Sequence, residues 1–177
     1  MEKSLLIAGF GGQGIMLIGK MLGFAASKAG MNATFYPSYG AEQRGGTANC
    51  TVIIGDDEIG SPVSRRLDTL IAMNEPSFVR FVDRMKKGGV VIVNSSLVQS
   101  KVEDKDVKAF YIPANDLAQE LGSVQVANII VLGAYIAATG ILDAEFAKQV
   151  IAEQLGRKPE MLELNMQAFD KGMAAVK

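Results

Sequence analysis

The sequence predicts an α/β fold with a mostly parallel sheet and a helical C-terminal part. Up to residue 112, short apolar runs of strand length alternate with segments whose apolar residues recur at helical spacing. This alternation favours parallel strands, because a crossover helix returns the chain to the same edge of the sheet. From residue 113 onward the pattern is helical. The length of 177 residues, 49% of them apolar, suits one domain spanning residues 1–177.

Each element rests on a local signal. Apolar and β-branched runs predict strands at residues 3–8, 32–36, 47–55, 68–73, 90–94 and 107–112, with a short return strand at 58–59. Helical spacing predicts helices at residues 12–30, 114–121, 126–139, 143–155 and 159–176. A further helix begins at Asn74, the cap, with Pro76 in its first turn, and ends near the basic and glycine residues 86–89. Pro37 is expected to end the second strand.

Residues 124–142 contain no charged side chain, which raises the question of a membrane span. The stretch carries several polar residues and lacks close basic flanks, so we expect a buried core helix instead. The N-terminal residues also lack the features of a secretory signal. We therefore expect no membrane association and a cytoplasmic location.

The composition excludes several kinds of chemistry. The chain has no His, and Cys50 is its only cysteine, so a cysteine-ligated iron–sulfur cluster cannot form within it. Cys50 lies in a predicted strand and is expected to be a buried, unreactive thiol. The 18 Lys and Arg residues balance 19 Asp and Glu residues without a basic cluster, so nucleic acid is not expected as a partner. We assign no catalytic residue and no metal ligand.

A glycine loop follows the first predicted strand. Residues 9–14 have the sequence Gly-Phe-Gly-Gly-Gln-Gly, which matches the pattern G-x-G-x-x-G before a helix. However, the second strand ends without the acidic residue that would bind a ribose. Three interpretations remain open: a dinucleotide site, another anion or phosphate contact through Gly11, Gly12, Gln13 and Gly14, and tight strand–helix packing alone.

A second polar loop occupies residues 37–46, where glycines are mixed with Tyr39, Glu42 and Arg44. It follows a strand and is expected near the first glycine loop, where α/β sheets place their ligand crevice. Arg44 is a candidate for binding a carboxylate, a phosphate or an acidic partner surface. An ordinary solvated surface loop is the equal alternative.

Several separated motifs together resemble the gamma subunit of 2-oxoacid:ferredoxin oxidoreductases. They are residues 9–14, residues 38–46 (Ser-Tyr-Gly-Ala-Glu-Gln-Arg-Gly-Gly), Ile-Gly-Ser-Pro at 59–62, Ala-Asn at 127–128 before Leu-Gly-Ala at 132–134, and Leu164, Asn165 and Ala168. The resemblance covers nearly the whole chain. Its compact length and residues 71–74 (Ile-Ala-Met-Asn) are most similar to the 2-oxoglutarate (or branched 2-oxoacid) branch, with the pyruvate and indolepyruvate branches as alternatives.

The resemblance implies a Rossmann-like, three-layer gamma domain within an enzyme complex that oxidatively decarboxylates a 2-oxoacid to an acyl-CoA. Such complexes use thiamine diphosphate, Mg²⁺ and iron–sulfur clusters, which are expected on alpha and beta, and in some complexes delta, subunits. Ferredoxin accepts the electrons of the complex. This chain is expected to support assembly, and Arg44 with the glycine loop is a candidate coenzyme A contact at an interface. The isolated chain is expected to be inactive and able to form a homodimer.

Two other functions fit the sequence less well. A stand-alone nucleotide-binding protein or small NAD(P)-dependent oxidoreductase would use the first glycine loop, but the missing ribose acid argues against it. A purely structural assembly protein would not need the unusual Arg44 loop.

Overall fold

The structure is a computed structural model that describes residues 1–40 and 46–177. Six strands form one sheet in the order β2-β3-β1-β4-β5-β6. Their bounds are β1 Glu2–Phe10, β2 Asn32–Tyr39, β3 Thr47–Gly55, β4 Leu67–Ala72, β5 Met85–Asn94 and β6 Lys108–Ile112. β1, β4, β5 and β6 pair in parallel, so the predicted mostly parallel α/β sheet is confirmed.

β3 is the exception, because it runs antiparallel to both of its neighbours, β1 and β2. Residues 40–46 between β2 and β3 are too few for a crossover unit, and the two strands pair antiparallel, so they form a hairpin. Because of this hairpin, β3 separates β1 from β2. The predicted alternation of strands and helices fails at two further steps, from β3 to β4 and from β5 to β6, where the described residues between the strands form no helix.

Helices cover both faces of the sheet unevenly. Their bounds are α1 Ile15–Lys28, α2 Glu75–Phe81, α3 Ala114–Glu120, α4 Ala127–Thr139, α5 Ala144–Leu155 and α6 Pro159–Ala174. The larger hydrophobic core joins one face of the sheet to α1 and α3–α6. A smaller core on the other face includes Phe78 and Phe81 of α2 together with Val98 and Val107. The three-layer arrangement and the helical C-terminal part are as predicted.

α4 is the central helix of the larger core, and residues 127–136 are all buried. Among the other helices, α6 makes the most extensive contact with α4. Within the described residues, no helix is long and apolar enough to cross a membrane. The uncharged stretch is thus a core helix, as predicted.

Two predicted boundaries in the N-terminal half are wrong. β2 continues through Pro37 to Tyr39, because β2 is an edge strand and the missing N–H costs no hydrogen bond on its open side. Residues 58–59 form no return strand, since β3 is already paired on both sides with β1 and β2.

The helix after Asn74 is shorter than predicted. α2 ends at Phe81, a 3-10 turn follows at Val82–Arg84, and residues 86–89 belong to β5. Gly88 has a φ of 77° there, and the β4–β5 register shifts between Leu67 and Thr69. The glycines therefore permit an irregular strand start rather than ending a helix.

Asp68 links the start of β4 to the neighbouring strands β1 and β5 by hydrogen bonds. Its Oδ2 accepts hydrogen bonds from the Ser4 amide at 2.9 Å, the Ser4 hydroxyl at 3.0 Å and the Lys86 ammonium at 2.8 Å. Burial raises the pKa of this carboxyl, but the hydrogen bonds from Lys86 and Ser4 outweigh burial and hold the pKa below its usual value. The charged form of Asp68 therefore stabilises the fold.

We predict that Asp68→Asn lowers the free energy of unfolding at about pH 6 and that this difference shrinks by about pH 2.5. A lowered pKa gives stability that is complete above the ordinary value of about 4 and lost as the pH falls through the folded-state pKa. Urea unfolding at both pH values measures this. Asp106→Asn, which breaks an exposed pair with Lys87, is the control and is expected to cost less than about 1 kcal/mol. A constant difference across the pH range would contradict the prediction.

Two glycines bring α4 and α6 into close contact. A Cβ on Gly133 would overlap the carbonyl oxygen of Phe169, and a Cβ on Gly172 would overlap that of Ile130. Each helix thus presents a glycine to the backbone of the other. The separation of these helices depends on the absence of both side chains.

We predict that Gly172→Ala lowers the free energy of unfolding by about 3 kcal/mol, because the helices must move apart. Gly23→Ala is the matched control: Gly23 lies in α1, and a Cβ there would meet no heavy atom of the described residues within 4 Å. This control is expected to stabilise the protein by about 0.5–1 kcal/mol. Chemical denaturation measures the free energy of unfolding of both variants. Equal changes in the two variants would disprove the close contact.

Candidate functional site

The glycine loop lies at the carboxyl end of β1, between β1 and α1. Gly12 and Gly14 have φ values of 94° and 73°, a region that side chains disfavour. The Gly11 amide donates to the Gly46 carbonyl at 3.1 Å, so the end of the second loop meets the first. The two loops are therefore close together at Gly46, as the sequence predicted.

Gln13 turns inward and holds the loop to the sheet. Its Oε1 accepts a hydrogen bond from the Phe10 amide at 2.7 Å and a longer one from Asn74 Nδ2 at 3.4 Å. Its Nε2 donates to the Met73 carbonyl at 3.3 Å. One side chain thus joins the end of β1 to the junction of β4 and α2. These hydrogen bonds hold the Gln13 side chain against the sheet.

Asn94 completes this polar network from the end of β5. It is fully buried, and its Nδ2 donates to the Met73 carbonyl at 3.2 Å and to Asn115 Oδ1 at 2.9 Å. Its Oδ1 accepts from the Ala114 amide at 3.2 Å, at the start of α3. The Met73 carbonyl therefore receives two side-chain donors, one from each neighbouring strand end.

Asn74 and Asn128 both bind backbone groups, and Asn74 is the helix cap that the sequence predicted. Asn74 caps α2 by accepting from the Ser77 amide at 3.0 Å. Asn128 is buried, donates to the Gly14 carbonyl at 3.3 Å and accepts from the Ile129 amide at 2.9 Å. Each therefore satisfies backbone groups. Asn128 also fixes the entry of α1 against α4.

Some backbone amides of the glycine loop donate hydrogen bonds to other residues, and others do not. The Gly11 amide binds Gly46, and the Gln13 amide donates to the Phe10 carbonyl at 3.2 Å. Within residues 1–40 and 46–177, the Gly12 and Gly14 amides have no hydrogen-bond partner. They precede the first turn of α1, where the helix dipole favours an anion.

A cleft of about 230 Å³ opens beside this loop. It is lined by Gly12, Gln13, Met73, Asn115, Val124, Gln125 and Ala127. None of these residues has a side chain that titrates, so this lining offers hydrogen bonds and apolar contacts but no general acid or base. The cleft suits binding rather than proton transfer.

Arg44, the charged residue predicted for this site, lies outside the described residues. Cys50 is described, and it is fully buried in β3. Burial raises the pKa of its thiol to about 12, so it remains protonated and unreactive, as expected. Across residues 1–40 and 46–177, no group of three His, Cys, Asp or Glu side chains is placed to hold a metal ion.

The sheet order disfavours a dinucleotide site. In the dinucleotide-binding arrangement, the acid for the ribose ends the strand next to the glycine loop. Here β3 separates β2 from β1, which puts the end of β2 two strand spacings, about 9.5 Å, from β1. β2 also contains no acidic residue.

Fold and site thus define a class of protein: an α/β domain with a glycine loop after β1 and no acid–base side chain at its described cleft. The chain belongs to the pyruvate ferredoxin/flavodoxin oxidoreductase family, whose model matches residues 4–175. The family resemblance of the separated motifs is therefore confirmed.

Two relatives show how the chain corresponds to known subunits. It is 39% identical to the 2-oxoglutarate synthase subunit KorC of Methanothermobacter thermautotrophicus over 178 residues, 97% of this chain and 93% of KorC. It is 35% identical to the ketoisovalerate oxidoreductase subunit VorA of the same organism over 173 residues, 97% of this chain. The chain spans 36% of the length of VorA.

Two solved structures share the fold. The gamma subunit of a keto/oxoacid ferredoxin oxidoreductase from Geobacter sulfurreducens has a TM-score of 0.83 at 33% identity, with 98% of each chain covered. A 2-oxoglutarate:ferredoxin oxidoreductase from Magnetococcus marinus has a TM-score of 0.90 at 26% identity, covering 99% of this chain and 31% of that one. The described chain thus has the architecture of a gamma subunit.

We predict that Asn94→Asp lowers the free energy of unfolding by more than about 3 kcal/mol. The change puts a carboxylate oxygen against the Met73 carbonyl and Asn115 Oδ1 in a fully buried position. Asn32→Asp is the control: it removes a similar amide donor, which binds the Asp56 carbonyl at 3.2 Å, but at an exposed position, so it is expected to cost less than about 1 kcal/mol. Urea unfolding near pH 7 compares them, and a small cost at Asn94 would contradict the network.

Proposed function

We propose that this chain is the gamma subunit of a multi-subunit 2-oxoacid:ferredoxin oxidoreductase, which oxidatively decarboxylates a 2-oxoacid to an acyl-CoA. The observation that carries the proposal is the match to KorC over nearly the whole of both chains. VorA supports it further, because the matching region there is one part of a longer subunit. Residues 1–177 then correspond to one gamma-type domain.

The proposed substrate is 2-oxoglutarate. KorC is a subunit of 2-oxoglutarate synthase, and the Magnetococcus enzyme of the same fold was solved with 2-oxoglutarate, coenzyme A and succinyl-CoA bound. VorA, a ketoisovalerate oxidoreductase subunit, is nearly as similar to this chain, so a branched 2-oxoacid is the second candidate. The substrate assignment rests on these relatives and not on a substrate pocket in this chain.

The cofactors of the proposed complex belong to its other subunits. The single cysteine is a buried, protonated thiol, which does not fit an iron–sulfur cluster. The described residues provide no carboxylate cluster for the Mg²⁺ that accompanies thiamine diphosphate. Alpha and beta subunits, with a delta subunit in some complexes, supply these groups and pass electrons to ferredoxin. The proposed complex is cytoplasmic, and the isolated chain is inactive and able to pair with itself.

A coenzyme A contact at the glycine loop is the proposed direct role of this chain. The Gly12 and Gly14 amides, next to the N-terminus of α1, offer donors for a phosphate oxygen. Arg44 would add a charge-assisted hydrogen bond from the second loop. A partner subunit would close the open cleft and complete the site.

Gly11 is the test position, because a Cβ there would meet no heavy atom of residues 1–40 and 46–177 within 4 Å and its φ is not positive. We predict that Gly11→Asp raises the KM for coenzyme A at least about tenfold in the assembled complex, since a carboxylate repels the phosphate. The KM for the 2-oxoacid is expected to stay the same. Steady-state kinetics with ferredoxin as acceptor measures both.

Gly11→Asn is the matched control, since it has the same shape without the charge and is expected to keep the coenzyme A KM within about twofold. Arg44→Ala is expected to weaken coenzyme A binding in calorimetry on the intact complex. If Gly11→Asp and Arg44→Ala both assemble and bind coenzyme A normally, the direct contact is disproved. The subunit proposal would then stand on assembly alone.

A further inference from the structure

A second cavity lies at the opposite end of the molecule from the glycine loop. Its volume is about 360 Å³, larger than the cleft beside Gly12. It opens between the starts of β1, β4 and β5 and the end of α4. Lys3 lines this cavity and Phe10 adjoins the glycine loop, and these two residues of β1 are roughly 23 Å apart along the strand. A ligand there would not touch the loop.

The irregular start of β5 opens this cavity. Between the pairs Leu67–Met85 and Thr69–Val90, β4 contributes one residue, whereas β5 contributes four. Gly88 and Gly89 belong to this bulge and line the cavity with Gly140, which ends α4 in a left-handed conformation. Three glycines in one wall leave the space unfilled by side chains.

Two buried hydroxyl groups face the cavity. Tyr135 is 2% exposed and Thr69 is 5% exposed, and both line it. The described residues include one enclosed side-chain oxygen without a hydrogen-bond partner, Thr34 Oγ1, and the Thr69 hydroxyl is not of that kind. Thr69 lines the cavity, where its hydroxyl can pair with water or with a ligand.

Tyr135 contributes a donor to the same wall. Burial raises the pKa of its phenol, so the hydroxyl keeps its proton. The neighbouring Thr139 hydroxyl donates to the Tyr135 backbone carbonyl at 2.7 Å, so its own proton is already used. The deep end of the cavity therefore suits an oxygen that accepts hydrogen bonds.

The mouth of the cavity is positively charged. Lys3 and Lys87 line it, with Asp68 as the opposing acid. Asp68 is already bound by Lys86 at 2.8 Å, and Lys3 lies 3.9 Å from it. Lys87 makes an exposed pair with Asp106 at 3.4 Å. Lys3 is thus the cation with the most freedom to bind another anion.

The negative end of the α4 dipole only partly offsets the positive charge of the lysines, because some of the last carbonyl groups of α4 already accept hydrogen bonds. The Tyr135 carbonyl accepts from Thr139, and the Ile136 carbonyl accepts from the Gly140 amide at 2.9 Å. These hydrogen bonds reduce the negative potential that a helix C-terminus otherwise presents.

We propose that this cavity binds a small organic carboxylate, with its charged group at Lys3 and Lys87 and a second oxygen at Thr69 and Tyr135. The volume lies at the lower end of the range for small-molecule sites, which suits a metabolite of a few carbons. The site is independent of the coenzyme A proposal, because it lies at the starts of β1, β4 and β5, whereas the glycine loop follows the carboxyl end of β1.

The test is a titration of the full-length, ¹⁵N-labelled chain with succinate and with citrate, followed by amide chemical shifts. We expect saturable shifts at Thr69, Gly88, Gly89 and Gly140, with a dissociation constant below roughly 10 mM. Lys3→Gln and Thr69→Val are each expected to weaken binding roughly fivefold or more. Both substitutions keep the size of the side chain.

Lys105→Gln is the control, because it removes the same charge from an exposed residue that does not line the cavity. It is expected to leave the affinity unchanged. Shifts that do not saturate, that occur at the glycine loop instead, or that weaken equally with Lys105→Gln would overturn the proposal. Inorganic phosphate added alone distinguishes a carboxylate site from a general anion effect: equal saturation by phosphate would also overturn it.

Discussion

The hydrogen bonds of Gln13 are the constraint on which the rest of the site depends. This side chain joins Phe10, Met73 and Asn74, and Asn94 reaches the same Met73 carbonyl from the next strand. The ends of β1, β4 and β5 are thereby fixed to one another. Because the Gln13 side chain is bound to the sheet, the glycine amides are the groups of the loop that the proposed ligand contact uses. A network of neutral side chains gives a rigid edge without a catalytic group.

This arrangement explains how a chain with few reactive side chains serves an enzyme complex. Its described cleft contains amides and apolar groups, and its one thiol is buried and protonated. Such a surface suits the positioning and shielding of a ligand more than proton transfer, which agrees with the proposal that other chains supply the reactive groups.

Much of the fold was predictable because each element has a local signal, and β3 matches its predicted bounds of 47–55. The errors arose where tertiary context decides. Pro37 is tolerated because β2 is an edge strand, and residues 86–89 extend β5 because their glycines form a bulge. At the site, the glycine loop was identifiable from its spacing. The inward turn of Gln13 was not, because it depends on where β4 and β5 end. Asn94, an amide closing an aliphatic strand, was the one available signal for the network.

The central claim is that this chain works only as part of a larger complex. The most direct measurement is purification of the tagged chain from its native cells under anaerobic, low-salt conditions, with the co-eluting chains identified by mass. We predict recovery of larger subunits together with thiamine diphosphate and iron. A chain that elutes alone and binds NAD(H) in calorimetry would contradict the account.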